Sequence, residues 1–489
     1  MRDSCSNLFI LCMAGVSFCA AATVEAQDLA ERADALLTSY HDTGLFNGAV
    51  LVAEGDSVLY AAGFGEADMS WQIPNTPETR FRIASVTKQF TSALVLQLAE
   101  EGLVDLDTPV RAYLPEYPAD QGDRVTVRHL LTHTAGIPNY TGLPEWDSIR
   151  RDPFVADSFI TVFSRLPLEF EPGSRFRYSN SNYFVLGVLV EHVTGQSYSR
   201  ALSERLLGPL GLDGSGTADD ARARVVEGAA RGYVRVAGGF APESYDNPSV
   251  PYAAGMMYST VGDLFRWTRA LHGGQVFRQP ETLETMLTSF EGTRYGYGYG
   301  IYSIPLALDT DTVRVVGHNG GFGAFRSELR YAPEDRVTVV VLDNANAGGD
   351  VGAVATALMR VFYDLPVERP RQPIATVLAD VIVAEDVGAA VVRYRALRIQ
   401  DPEGYDFAEA QLNRLGYAYL SGGEVETALR LFELNADVYP ESANTHDSLG
   451  EAYLAAGDRE RAIASYQEAL RLDPQYASAR AALDRLGVE

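Results

Sequence analysis

Apolar residues recur at helical spacing from Leu29 to Tyr40, after which the pattern changes to short runs rich in valine and alanine. Residues Gly48 to Ala53 and Ser57 to Ala62 flank Glu54-Gly55-Asp56, which predicts two strands joined by a tight turn. Ser85 opens a second helical run to about Glu101, with apolar residues at Phe90, Leu94, Val95 and Leu98. From Thr126 to about Arg269, helical patterns alternate with loops rich in glycine and proline. Strand patterns return at Tyr295 to Ile304, Val313 to Gly317, Phe325 to Tyr331 and Val337 to Leu342, and a helix follows from about Val351. Strands at both ends with helices between them predict an α+β domain whose sheet joins the N- and C-terminal segments.

Beyond this region the pattern becomes helical and repetitive. Pro366, Pro370 and Pro373 mark a linker over 364–375, and the helical part runs over 376–489. Leu415-Gly416-Tyr417-Ala418-Tyr419 recurs 34 residues later as Leu449-Gly450-Glu451-Ala452-Tyr453, and Ala428 and Pro440 recur as Ala462 and Pro474. Period and pattern resemble tetratricopeptide repeats, with units at about 409–442 and 443–476. Two units bury too little core to stand alone, so helices near Thr376 to Leu397 and Gln475 to Leu486 are expected to cap them.

Composition narrows the partners. A formal charge of −25 over 489 residues argues against nucleic acid and anionic membrane surfaces. Residues 1–26 read as a signal peptide: Arg2, an apolar run from Leu8 to Ala22, then Val24-Glu25-Ala26 before Gln27. That implies a secreted or periplasmic protein cleaved near Ala26, with no membrane span after cleavage, and an uncleaved anchor is the alternative. All three cysteines fall in this segment, so the mature chain has no disulfide, thiol nucleophile or thiolate metal site.

Lys88 is the single lysine among 40 basic side chains, and it stands three residues after Ser85. Positions i and i+3 share a helix face, so the two can meet. Arginine stays charged at any accessible pH, whereas a buried lysine can lose its proton and activate a serine. Tyr178-x-Asn180 offers a phenol and an amide from one short loop, followed by a helix from about Val185 to Val193. Gly317-His318-Asn319-Gly320-Gly321 ends a strand in polar and small residues, where a substrate can lie against the backbone and an N–H can face an oxyanion. His129 and His133 stand four apart, but no glutamate follows His129, so a structural role is expected and a metal is not. The run from Tyr295 to Gly300 either lines a cleft with aromatics or forms a glycine-relieved strand. No G-x-S-x-G occurs, which disfavours an α/β-hydrolase elbow.

Ser85-x-x-Lys88, Tyr178-x-Asn180 and His318-Asn319-Gly320, in this order, resemble the class C β-lactamase-like serine hydrolases, which include D-alanyl-D-alanine carboxypeptidases and related esterases. Leu130 to Pro138 and Ala254 to Thr260 support the resemblance, which covers roughly Asp28 to Tyr363. It implies a β-lactamase/transpeptidase-like fold, an antiparallel sheet flanked by helices with a helical subdomain. It also implies a Ser85 acyl-enzyme, a Lys88/Tyr178 proton relay whose formal base is left open, and no metal or cofactor. Asn180 would orient the relay or hold a substrate amide. The N–H groups of Ser85 and Gly321 would form the oxyanion hole, with His318, Asn319 and Gly320 beside them. Penicillin-recognising members carry K-T-G at the third motif. His318 replaces a permanent charge with one expected to titrate near neutral pH, which shifts weight from β-lactams to esters, amides or peptides. Arg326 either recovers a carboxylate contact or, as the expectation here, forms a structural salt bridge. A small-molecule or peptide substrate follows, with a D-alanyl-D-alanine carboxypeptidase or β-lactamase as alternative. A protein partner is expected for the repeats, and a catalytically weak scaffold is the competing class.

Overall fold

Six strands build the main sheet of the first unit. They are β1 (Gly48–Glu54), β2 (Ser57–Phe64), β3 (Tyr302–Leu308), β4 (Asp311–Phe322), β5 (Phe325–Ala332) and β6 (Val337–Asp343). A computed structural model of the chain describes residues 27–152, 156–217, 225–236, 239–247, 250–290, 296–309, 311–346 and 349–488. The predicted leader at 1–26 therefore lies outside the described residues, as does Tyr295. The sheet runs β3-β4-β5-β6-β1-β2, antiparallel throughout, and β1 pairs β6 from Gly48↔Asp343 to Glu54↔Val337. The N-terminal hairpin thus completes a sheet begun by the C-terminal strands, as the pattern predicts.

Two cores follow from the period of two. Ala49, Leu51 and Ala53 of β1 pack with Val340 and Leu342 on one face, while Val50 and Val52 pack with Val339 and Val341 on the other. The second face is covered by α1 (residues 27–42) through Leu36 and Leu37, with Val354 and Leu358 from the C-terminal helix of the unit. The first face receives α2 (Thr87–Glu100), α3 (Asn180–Thr194) and α4 (Val261–His272), and α5 (Val351–Phe362) is the C-terminal helix just mentioned. Phe90 of α2 stacks on Trp267 of α4 with ring centroids 4.0 Å apart, and Trp267 Nε1 donates to Gln89 Oε1 at 2.9 Å. Burying each such side chain contributes roughly 1.5–3 kcal/mol, enough to hold the start of α2 rigidly below the sheet.

Two expected strand boundaries move. β4 continues through Phe322, so His318-Asn319-Gly320 lies inside a strand instead of ending one. The aromatic-glycine run is not a strand: Gly296 and Gly300 take φ of 57° and 72°, and Tyr297 bridges back to Tyr302. Gly300 needs its missing side chain, because a Cβ there would lie 2.6 Å from the carbonyl oxygen of Lys88.

The chain divides into two units, 1–234 with 242–369, and 235–241 with 370–489. The second is built from α6 (Ile374–Ala384), α7 (Val387–Gln400), α8 (Glu409–Ser421), α9 (Val425–Val438), α10 (Ala443–Ala455), α11 (Arg459–Leu472) and α12 (Ala477–Arg485). α6 begins inside the predicted linker, and the N-terminal flank is two helices because Asp386 caps the second, accepting from Ala389 N–H at 2.8 Å. Gly416 faces the ring of Phe432 and Gly450 that of Tyr466, each with room for no Cβ (2.7 Å). The 34-residue offset is thus one helix–helix contact made twice. Among the described residues no helix is long and apolar enough to cross a membrane.

Candidate active site

Ser85 lies in a 3₁₀ turn, Ala84–Val86, directly before α2, and Ala84 holds a φ of 45° that non-glycine residues rarely adopt. One turn on, Lys88 is completely buried. Its Nζ lies 3.0 Å from Ser85 Oγ, 2.8 Å from Asn180 Oδ1 and 2.7 Å from the carbonyl oxygen of Ala254. Burial holds its pKa well below the ordinary lysine value. The faces of Tyr178 and Tyr183, 4.9 and 5.5 Å away, return a part of that cost to a cation, but less than full burial removes. A neutral amine has two N–H groups and one lone pair. Asn180 Oδ1 and the Ala254 carbonyl take the two hydrogens, so the lone pair faces Ser85 Oγ.

Tyr178 Oη donates to Ser85 Oγ at 2.9 Å. Burial raises its pKa far above that of an ordinary phenol, so it keeps its proton. Asn180 begins α3, and its N–H donates to Asn139 Oδ1 at 3.1 Å. Ser85, Asn180, Gly321 and Ala254 line one cavity of about 260 Å³ with Tyr140, Trp146 and Phe322. Its charged lining residues, Arg150 and Asp246, pair with each other at 3.0 Å. β3 pairs β4 only as far as Gly317, so among the described residues the β4 edge beyond it carries no partner strand on that side. Such an edge offers N–H and carbonyl groups to a substrate.

Against known sequences, the Beta-lactamase family profile matches residues 28–363. The chain belongs to the beta-lactamase family. It is a serine hydrolase with the β-lactamase/transpeptidase-like fold. The Tetratricopeptide repeat profile matches 443–476, the second predicted unit. Penicillin-binding protein 4 of Amycolatopsis lactamdurans is 30% identical over 363 residues, 68% of this chain and 87% of the relative. Penicillin-binding protein 4* of Bacillus subtilis is 29% identical over 350 residues, 67% of this chain and 75% of the relative. A D-stereospecific amidohydrolase from Streptomyces superposes with a TM-score of 0.59 at 28% identity, covering 67% of this chain and 98% of that one.

Measured against the family's third motif, His318 differs from its sequence-based expectation. It is 3% exposed, and burial pushes its imidazole down to about 3. It therefore stays neutral at every working pH instead of titrating near 7. Asn319 is exposed and His318 buried, yet both line a separate cavity of about 370 Å³ with Glu328 and Arg330, and neither joins the lining of the Ser85 cavity. Alternation along β4 explains the difference in burial: His318 packs toward Tyr178 and Tyr297, and Asn319 faces the other way. Gly320 serves by having no side chain: a Cβ would lie 2.4 Å from the Ile83 carbonyl and 2.9 Å from Ser85 N. Arg326 makes no salt bridge among the described residues; its Nη1 donates to the carbonyls of Gly323 and Phe325, both at 2.8 Å, clasping the β4–β5 turn. His129 Nδ1 accepts from Thr126 N–H at 3.2 Å and closes a helix start.

Two residues escape the motif reading. The Ala254 carbonyl is a partner of Lys88 from 166 positions away. His133 is wholly buried against Tyr178, with ring centroids 4.3 Å apart. The signals were Ala254-Gly255 and the Leu130 to Pro138 segment, both visible as text but without any spacing that ties them to Ser85.

Proposed function

We propose that the protein hydrolyses an ester, amide or peptide through an acyl-enzyme on Ser85, with Lys88 as general base and Tyr178 as general acid. The single observation that carries this reading is the Lys88 amine, buried, with both N–H groups committed and its lone pair 3.0 Å from Ser85 Oγ. As Oγ bonds to the substrate carbonyl carbon, its proton passes to Lys88 Nζ. The carbonyl electron pair moves onto oxygen, which is met by the N–H groups of Ser85 and Gly321. Tyr178 gives its proton to the leaving oxygen or nitrogen as that bond breaks, and the Lys88 ammonium restores it. Water then attacks the acyl carbon, loses a proton to the same relay, and Ser85 departs as the hydroxyl.

Arg150 and Asp246, the charged residues of the cavity's described lining, pair with each other, and His318, outside that lining, is neutral, so the lining offers no unpaired cation to a substrate carboxylate. This favours neutral esters, amides or peptides over penicillins. A second reading, a D-alanyl-D-alanine carboxypeptidase or β-lactamase, is supported by the names of the Bacillus and Amycolatopsis relatives. The 1–26 pattern supports secretion or a periplasmic site, and the repeats support binding of a protein or peptide.

The test is the intact mass of the mature protein after brief exposure to benzylpenicillin and, separately, to a short activated ester, with Ser85→Ala alongside. Rapid ester turnover that depends on Ser85, without a penicillin adduct, is expected. A persistent penicilloyl adduct on Ser85 supports the second reading. No adduct and no turnover with either compound overturns the choice of these substrates and points to a substrate outside both classes or to binding through the repeats.

A further inference from the structure

His133 occupies a junction that neither the three motifs nor the proposed mechanism uses. Its Nδ1 accepts from the backbone N–H of Ser179 at 3.2 Å and lies 3.2 Å from Asn182 Nδ2. Its Nε2 lies 3.2 Å from Tyr297 Oη, which in turn lies 3.1 Å from His318 Nε2. His318 Nδ1 is 2.5 Å from the Asn319 carbonyl oxygen. One side of the His133 ring therefore touches the residue between Tyr178 and Asn180, and the other reaches His318 through one phenol.

Backbone groups at the two ends of this hydrogen-bonded chain set both histidine tautomers. A backbone N–H can only donate, so Nδ1 of His133 must be bare and Nε2 must carry the hydrogen. A carbonyl can only accept, so His318 carries its hydrogen on Nδ1 and presents a bare Nε2. The Tyr297 hydroxyl accepts from the first ring and faces the bare nitrogen of the second, with Tyr183 as a further hydrogen-bond partner. The two histidines are thus neutral and opposite tautomers, and burial lowers the pKa of both.

The backbone adds a second, independent sign. His133 holds a φ of 56°, and its carbonyl accepts from Arg177 N–H at 2.9 Å, just before Tyr178. A non-glycine residue kept in the left-handed region stores strain that the surroundings must over-determine. Here that strain aims the ring between the second and third motifs.

We propose that His133 is a positioning residue: in one fixed tautomer it sets the loop carrying Tyr178 and Asn180, and through Tyr297 it locks His318 as a neutral hydrogen-bond acceptor. This rests on the Ser85 reading given above for its effect on turnover, and on the hydrogen-bond geometry alone for its tautomers.

The test uses the full mature chain. Ring-nitrogen NMR of ¹⁵N-histidine protein, assigned with His133→Phe and His318→Asn, is expected to show Nε2–H for His133 and Nδ1–H for His318. Tyr297→Phe is expected to disturb the His318 nitrogens while leaving Nδ1 of His133 bare. In ester hydrolysis His133→Phe is expected to lower kcat about a hundredfold, the cost of roughly 1 Å of misplacement, with KM little changed. His133→Asn keeps an acceptor near Nδ1 and tolerates the positive φ, so it is expected to recover about tenfold of that loss. The proposal is overturned by the same tautomer at both histidines, or by a His133→Phe protein that melts earlier yet keeps wild-type kcat. If wild type and Ser85→Ala are equally inert, the Ser85 reading fails instead, and the wild-type tautomers still decide the geometry.

Discussion

Lys88→Arg replaces an amine that can lose its proton with a guanidinium that cannot at any accessible pH. Loss of a general base costs about 10²–10⁴-fold, or about 3–5 kcal/mol at roughly 1.4 kcal/mol per tenfold. The upper end is expected here. Ser85 Oγ has two partners, and the other, Tyr178, is a phenol held protonated by burial. The assay is kcat/KM for an activated ester from pH 5 to 10. Because a buried guanidinium can disturb folding, the wild-type protein carries its own control. Lys88 is the single lysine in the chain, so ¹³C,¹⁵N-lysine labelling yields one side-chain signal that needs no assignment. That signal is expected to titrate well below 10.5, together with the acidic limb of kcat/KM. A lysine still charged at pH 10, or a folded Lys88→Arg enzyme within tenfold of wild type, would refute the reasoning.

Further outcomes follow from the same geometry. Tyr178→Phe keeps the ring but removes the proton given to the leaving group. It is expected to lower turnover by about 10²–10⁴-fold for poor leaving groups and by much less for a nitrophenyl ester, which leaves without a proton. Gly320→Ala drives a Cβ to 2.4 Å from the Ile83 carbonyl and 2.9 Å from Ser85 N. A loss of about 1–3 kcal/mol in stability is expected by urea unfolding, with ester turnover falling about a hundredfold. Gly450→Ala meets the Tyr466 ring at 2.7 Å, so the helical signal of the repeat unit is expected to melt earlier by circular dichroism. His318 takes a proton near 6.5 when unfolded but only near 3 when folded. Between these values the unfolded state binds more protons, so stability falls as pH drops, by about 1.4 kcal/mol per pH unit from this group. His318→Asn is expected to flatten that acid slope in urea titrations, and an unchanged slope would contradict neutral burial.

The amino-acid pattern was enough for what depends on near neighbours. Short apolar runs bounded by turn residues marked β1, β2, β5 and β6, and the i, i+3 spacing of Ser85 and Lys88 put both on one side of the turn that opens α2 before any fold was known. The 34-residue offset identified Gly416 and Gly450 as one contact made twice. Motif order carried the family, because order and spacing are properties of the chain itself. Tertiary structure decided the rest. Ionisation depends on burial, so His318 read as a titrating group in sequence but is neutral once the sheet and helices enclose it. The third partner of Lys88 is a backbone carbonyl 166 residues away, and a carbonyl leaves no mark in residue type. Asn319, adjacent to His318 in sequence, is exposed while His318 is buried, because β4 runs on as a strand and alternate residues face apart. His133 joins two motifs only because Tyr297 folds back at Gly296 and Gly300, a turn that looks like a strand when read as text.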